Sequence, residues 1–172
     1  LIHAHSGMSV LLAALQRRIP VVATFHGSDI NIPKLRRFSK LAMMLSRSHI
    51  VVSTEMKRAL NDDRVHVIPC AVDTTIFYPT DSAAERKKLG WKDENRYILF
   101  SSSFSNTVKN APLAQEAIAV LNSKNIQLVE LKGKSRHEVA QLLNACDAAL
   151  MTSFTEGSPQ FIKEAMACAT PV

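Results

Sequence analysis

Short runs of mostly apolar residues recur along this chain. Each is followed by a longer stretch in which apolar positions fall three and four apart. The first pattern suits strands buried on both faces of a parallel sheet, and the second suits helices that carry the chain back over it. Predicted strands cover residues 1–4, 21–25, 50–53, 65–68, 97–101, 127–130 and 148–152. Predicted helices cover 8–17, 33–47, 54–61, 82–89, 112–123, 136–145 and 159–169. This alternation argues for an α/β fold with parallel sheets, and no solenoid-type repeat interrupts it.

The alternation breaks between Pro69 and Arg96. Tyr78-Pro79-Thr80-Asp81 is turn-like, and the polar run from Lys87 to Asn95 contains a helix-stopping glycine, Gly90. The reading is therefore two Rossmann-like lobes. The first lobe covers residues 1–79, a linker 80–95, and the second lobe 96–172. Both are expected to be incomplete. The chain opens on Leu1-Ile2-His3-Ala4-His5 in what reads as mid-strand, and stops at Pro171-Val172 where another strand should begin. Ligands of such sheets bind beyond the carboxyl ends of the strands, here in the cleft between lobes.

Composition narrows the class only a little. Apolar residues make up 47% and charged residues 21%, which excludes a disordered chain. No apolar stretch is long enough to span a bilayer. Three cysteines (Cys70, Cys146, Cys168) without metal-ligand spacing suit reduced thiols and a cytoplasmic setting. The net charge of +6 fits anionic ligands or an anionic membrane surface.

The densest chemical signal is Glu156-Gly157-Ser158-Pro159-Gln160-Phe161-Ile162-Lys163-Glu164. Ser158 suits a helix N-cap, Pro159 the first helical position, and the residues after it are strong helix formers. A helix opening this way aims free backbone N–H groups and the positive end of its dipole at whatever lies in front, which favours phosphate. Acids on either side of that phosphate can accept hydrogen bonds from the hydroxyls of two sugars. Glu164 lies near the apolar stripe of the helix; the plainer alternative makes it an exposed helix acid paired with Lys163 or another neighbour.

Other candidates are weaker alone. His26 follows a predicted strand and precedes Gly27, where it can donate to a phosphate or sugar hydroxyl or simply close a turn. Asp29 can orient that loop or the acceptor, or simply mark a helix entry. Lys109 stands before a predicted helix and can neutralise a diphosphate as a point charge. His3 and His5 share a strand face, but no third metal ligand is evident, so a structural role is expected. The helix over 33–47 carries Lys34, Arg36, Arg37, Lys40 and Arg47 among apolar residues, a pattern shared by membrane-surface helices and by solvated Rossmann helices. There is no Gly-x-Gly-x-x-Gly or Walker loop, which disfavours dehydrogenases and nucleoside triphosphatases.

Four stretches together resemble the retaining glycosyltransferases of family 4. They are Glu156-x7-Glu164 with Thr170-Pro171-Val172 after it, the Thr24-Phe25-His26-Gly27-Ser28-Asp29 loop, Val67-Ile68-Pro69-Cys70-Ala71-Val72-Asp73 with Phe77, and Asn144-Ala145-Cys146-Asp147. The resemblance implies the two-lobed GT-B architecture and a parent about twice as long. It implies transfer of a sugar from a nucleotide diphosphate sugar to a hydroxyl acceptor with retention of anomeric configuration. Glu156 would then meet the transferred sugar, Glu164 the ribose, and His26 the reacting groups. Lys109, Gly157, Ser158, Gln160 and Phe161 would complete the donor site. Ser103 stands where the family usually has a diphosphate-binding arginine, and Cys70-Ala71 replaces the usual Asn-Gly. Asp73 reads as a turn stabiliser.

No cofactor or metal is expected under this reading, since the nucleotide sugar is the donor substrate. Expected partners are that donor and a carbohydrate, lipid or small-molecule acceptor, with peripheral contact at the inner membrane surface and no nucleic acid. Two alternatives remain beside it. One is an epimerase or phosphorylase on the same scaffold; the other is a sugar-nucleotide-binding relative without turnover, suggested by Ser103 and Cys70-Ala71.

Overall fold

The computed structural model describes all residues, 1–172. The chain divides into two compact units, Leu1–Cys70 with Glu156–Ser158, and Ala71–Thr155 with Pro159–Val172. Each has its own parallel sheet.

In the first unit the order is β1 (Ile2–His5), α1 (Gly7–Leu15), β2 (Val21–Phe25), α2 (Ser28–Asn31), α3 (Pro33–Leu45), β3 (Ser48–Val51), α4 (Thr54–Leu60) and β4 (Val65–Val67). The strands lie side by side in chain order, β1-β2-β3-β4, with Ile2 paired to Val21, Val22 to Ser48, and His49 to Val65. Val10, Ala14, Ala23, Phe25, Ile30, Ala42, Val51 and Met56 fill the core between sheet and helices. Helix α1 sits tightly on α3, because a Cβ on Gly7 would stand 3.3 Å from the Ser39 Cα. Only glycine allows that approach.

Strand β3 begins two residues earlier than its apolar run suggests. The reason is His49, which is buried and shares its Nε2 between the Met43 carbonyl (2.9 Å) and the Ser46 hydroxyl (3.1 Å). A polar residue in a core position hid the start of the strand.

The second unit contains α5 (Ser82–Leu89), β5 (Arg96–Phe100), α6 (Ala111–Val120), β6 (Ile126–Glu130), α7 (Arg136–Ala145), β7 (Ala148–Leu150) and α8 (Gln160–Ala167). Its sheet order is β6-β5-β7, so the chain starts in the middle and builds outward both ways. Phe77, Tyr97, Leu99, Leu143, Ala149, Phe161 and Ala165 share its main core.

Residues 80–95, expected as a linker, lie inside this second unit, and the division between units falls at Cys70/Ala71. The charges of this polar run from Lys87 to Glu94 are exposed, but the residue before them turns inward. Arg86 on α5 donates to the Ala145 carbonyl (2.7 Å) and reaches Asp147 at 2.7 Å. Asn144 donates to the Tyr78 carbonyl (3.1 Å) and accepts from the Thr80 amide (2.7 Å), and Trp91 stacks on Tyr97 at 4.0 Å. Gly90 ends α5 with a φ of 67°, as its place in the sequence predicts.

The three thiols differ in setting. Burial pushes Cys146 up to about 12 and Cys168 in the same direction, while Cys70 is half-buried. A thiolate is the species that alkylates, so the native protein at pH 8 should take up one equivalent of iodoacetamide, at Cys70. Peptide mass spectrometry showing early labelling of Cys146 would contradict the packing around α7.

Candidate active site

The loop after β2 is built around Asp29, a buried acid. Its carboxylate accepts from the Ser6 hydroxyl (2.8 Å), the Gly7 amide (3.4 Å) and the His26 amide (2.9 Å). Ser39 donates to the Asp29 carbonyl at 2.9 Å. One residue thereby fixes the ends of β1 and β2 together, which answers the sequence question about Asp29: it orients the loop. Gly27, at φ 146°, supplies a backbone shape that other residues rarely take.

His26 is exposed at that loop. Its Nε2 lies 2.8 Å from His5 Nδ1, with the two rings stacked at 5.1 Å, and its Nδ1 lies 3.8 Å from the Cys70 sulfur. His3 bonds Thr24 through Nε2 at 2.8 Å and lies 4.4 Å from the His5 ring. Desolvation, with His3 and His26 adding to it, holds the His5 imidazole below its ordinary value. A neutral His5 can share one proton with His26 and so set which nitrogen of His26 carries it. The pairing of His5 with His26 was not visible in sequence, because register between neighbouring strands creates it. Gly157, which groups with this unit, lies against the His26–Gly27 backbone so closely that a Cβ would overlap the His26 carbonyl.

In the second unit the strand order reverses at β5, and α/β sheets bind ligands where such a reversal parts the strand ends. The segment after β5 and the segment after β7 meet there. Thr152 donates to the carbonyls of Lys109 (3.0 Å) and Asn110 (2.9 Å), and the Phe154 amide donates to the Val108 carbonyl (3.0 Å). Lys109 closes a single 3-10 turn, Thr107–Lys109, directly before α6. The backbone of Lys109 is thus pinned beside the strand reversal.

Ser103 lies in the same loop, with its hydroxyl 3.2 Å from the Glu130 carboxylate, which also accepts from the Phe104 amide at 2.8 Å. Glu130 was not singled out by sequence. It ends β6 beside Phe100, so only the register between β5 and β6 brings it to Ser103.

Helix α8 starts at Gln160, one residue later than expected. Pro159 rather than Ser158 takes the cap position, with extended backbone (ψ 99°) and no side-chain cap. Gln160 Nε2 donates to the Ala71 carbonyl at 2.7 Å, and Phe161 is buried in the core. Glu164 is not the exposed acid that the plainer reading pictured, although it does pair with a cation. It is 3% exposed, and one carboxylate oxygen lies 2.7 Å from Arg136 Nη1. The Arg136 guanidinium also sits over the Phe77 ring at 4.6 Å.

Arg136 is the residue that sequence reasoning missed. A signal did exist in Ser135-x-x-Glu138, a capping box in which the Ser135 amide donates to Glu138 at 2.8 Å. That box places Arg136 at the first position of α7. The Ser135 bonds also hold the Glu138 carboxyl at about 2. Asp73 behaves as the turn stabiliser it was read to be: it accepts from the Thr75 hydroxyl (2.6 Å) and amide (3.0 Å), and these bonds lower its pKa.

Residues 1–76 match the family model described as Glycosyltransferase Family 4. That stretch, 76 of the 172 residues, resembles the family 4 glycosyltransferases. Along its whole length the chain is 24% identical to a Bacillus subtilis protein named, provisionally, teichuronic acid biosynthesis glycosyltransferase TuaC, covering 52% of it. It is 23% identical to the D-inositol 3-phosphate glycosyltransferase of Stackebrandtia nassauensis, covering 51% of that protein. The chain therefore spans about half the length of the curated relatives it matches. Among solved structures it resembles the sucrose-phosphate synthase of Thermosynechococcus elongatus (TM-score 0.77, 18% identity, 99% of this chain and 54% of the other). It also resembles Anabaena HepE, solved with UDP and glucose (TM-score 0.73, 19% identity, 99% and 58%). The fold is that of the GT-B glycosyltransferases.

Proposed function

We propose that the protein moves a sugar from a nucleoside diphosphate sugar to a hydroxyl acceptor and retains the anomeric configuration. The observation that carries this reading is Glu164, a buried acid held on Arg136 at the second place of the Glu156-x7-Glu164 spacing. A carboxylate fixed in that way is oriented before any ligand arrives, which suits the two adjacent hydroxyls of a ribose. In this reading Glu156 accepts from hydroxyls of the transferred sugar. The backbone N–H groups of Ser158, Gln160 and Phe161 face the diphosphate, and His26 donates to the reacting groups. Lys109 adds positive charge as the diphosphate departs.

No protein nucleophile is needed. The bond from the anomeric carbon to the diphosphate oxygen breaks as the acceptor oxygen bonds to the same face of that carbon, and the departing diphosphate takes the acceptor's proton. The nucleotide sugar is substrate, and no resident metal or cofactor takes part. The full-length protein, incubated with a panel of nucleotide sugars, should be thermally stabilised by one donor. With a matching acceptor it should release nucleoside diphosphate and form a product of the donor's own anomeric configuration by NMR. Inverted product, or an isomerised nucleotide sugar without transfer, would replace this reading with another.

One observation favours binding without turnover. The Ser103 hydroxyl faces an acid, Glu130, so this part of the loop adds negative rather than positive charge. Ser103→Arg should therefore tighten binding of nucleoside diphosphate by about tenfold at low salt. The gain should shrink as salt rises, because charges at an open site are screened. Calorimetric titration showing no gain at low salt would mean that Glu130 captures the new guanidinium.

A further inference from the structure

The backbone of His26 is held on both sides. Its amide donates to the buried Asp29 carboxylate at 2.9 Å, and Gly157 packs against its carbonyl. The ring still has two side-chain torsions to settle, and His26 is exposed, so packing does not settle them. His5 does, and the sheet dictates how. Alternate residues of a strand share a face, which puts His3 and His5 on one side of β1. His3 lies opposite Val22 and bonds the Thr24 hydroxyl, two residues further on, at 2.8 Å. His5 lies opposite Thr24 and bonds His26, again two residues further on, at 2.8 Å. The same offset twice makes the His5–His26 bond a rung of the parallel pairing, not a chance meeting of two loose rings.

That rung uses one particular atom of His26. Nε2 is taken by His5 Nδ1, and the rings stack at 5.1 Å. Nδ1 faces outward beside the Cys70 sulfur at 3.8 Å, a weak partner that a hydroxyl or phosphate oxygen outcompetes. The bond stands as long as a single proton lies between the two nitrogens. Desolvation, followed by His3 and His26, holds His5 below 6.5, so His5 is neutral near neutral pH and the condition is met. The other titratable groups around the pair are His3 on β1, Asp29 on α2, Cys70 after β4, and Glu156 next to Gly157 in the chain. The Asp29 carboxylate is already occupied by the donors of Ser6, Gly7 and His26.

We infer that His5 is a positioning residue: it occupies Nε2 of His26 and so makes Nδ1 the nitrogen that meets the reacting groups. The inference rests on the proposed part of His26 in sugar transfer, and adds which atom of it faces the substrate and which neighbour decides that. Without His5 the ring could turn over and offer either nitrogen in several orientations, and a group that must be ordered at each turnover is a slower one.

NMR of the ligand-free, isotope-labelled full-length protein should show a nitrogen–nitrogen coupling across the hydrogen bond from His26 Nε2 to His5 Nδ1. It should vanish in acid well below pH 6.5, where two charged rings would set N–H against N–H. His5→Phe keeps a ring that can stack but removes the nitrogen, whereas His5→Asn puts an amide oxygen close to where Nδ1 stood. With the nucleotide sugar selected by the thermal screen, His5→Phe should lower kcat by about ten- to a hundredfold and leave the donor KM nearly the same. His5→Asn should recover most of that loss. His5 is exposed at the end of β1, so neither variant should shift the melting temperature. Absence of the coupling in the parent, or equal kcat for parent and His5→Phe, would overturn the inference. A parent that transfers no sugar would instead sink the proposed reaction, and the spectra, which need no turnover, would then decide the ring assignment.

Discussion

Replacing Glu164 with alanine should lower affinity for free nucleoside diphosphate by about ten- to a hundredfold, while Glu156→Ala leaves that affinity nearly unchanged. The size follows from losing hydrogen bonds to a charged acceptor, each contributing about 1.5–3 kcal/mol. The asymmetry follows from the proposed roles, since Glu164 takes the ribose, which the free nucleotide retains, and Glu156 the sugar, which it lacks. Glu156→Ala should instead weaken the intact donor. Stability should change less than the burial of Glu164 suggests, because its partner Arg136 is half-exposed and can turn to water. Arg136→Ala provides the control. It leaves the Glu164 carboxylate buried without its cation, so nucleotide affinity and melting temperature should both fall. Calorimetry with the nucleoside diphosphate and with the donor separates these cases. Equal losses from Glu156→Ala and Glu164→Ala on the free nucleotide would remove the ribose assignment.

The largest effect on folding is expected at Asp147. Its carboxylate accepts from the Tyr97 amide (2.8 Å) and meets Arg86 at 2.7 Å and Arg96 at 3.0 Å. Arg86 is mostly buried, so Asp147→Ala strands a guanidinium between α5 and the sheet. Breaking such a pair costs about 3 kcal/mol. For a protein of this size that lowers the melting temperature by roughly 6–12 °C. Burial alone would raise the Asp147 pKa, but the Tyr97 amide, Arg86 and Arg96 outweigh it and hold the carboxyl below 3.8. A depressed carboxyl contributes stability above its unfolded value and loses it as pH falls through the folded one. Thermal melts of the second unit should therefore weaken below about pH 4, and Asp147→Asn should flatten that dependence. A variant as acid-sensitive as the parent would place the acid-labile group elsewhere.

Most regular elements were legible because their physics is local. The helices Ser82–Leu89 and Arg136–Ala145 and the strand Val21–Phe25 have the predicted ends, each marked by an apolar period, a cap or a turn residue. The short helix Ser28–Asn31 and the turn Thr107–Lys109 were not predicted, since pieces so brief carry no period. The spacing of Glu156 and Glu164 was visible, as was the loop place of His26 and Lys109. What those side chains touch was not. Arg136 at Glu164, Glu130 at Ser103 and His5 at His26 are met across strands or helices, and no run of neighbouring residues encodes them. The polar segment 80–95 misled for the same reason. Arg86 looks solvent-bound in sequence and is in fact satisfied by Ala145 and Asp147, some 60 residues away.

The two strand orders have a consequence for how the chain assembles during synthesis. In β1-β2-β3-β4 every new strand leaves the ribosome with the edge of its predecessor already formed beside it, so the first sheet can grow in step with translation. In β6-β5-β7 the central strand comes first and gains β6 soon after, but its other edge stays open until Ile98 meets Ala148. Closing that longer loop adds only about 0.6 kcal/mol for each doubling of length, so the delay is one of time more than of energy. During that interval β5 has a bare edge, the kind of surface that invites pairing with the wrong strand.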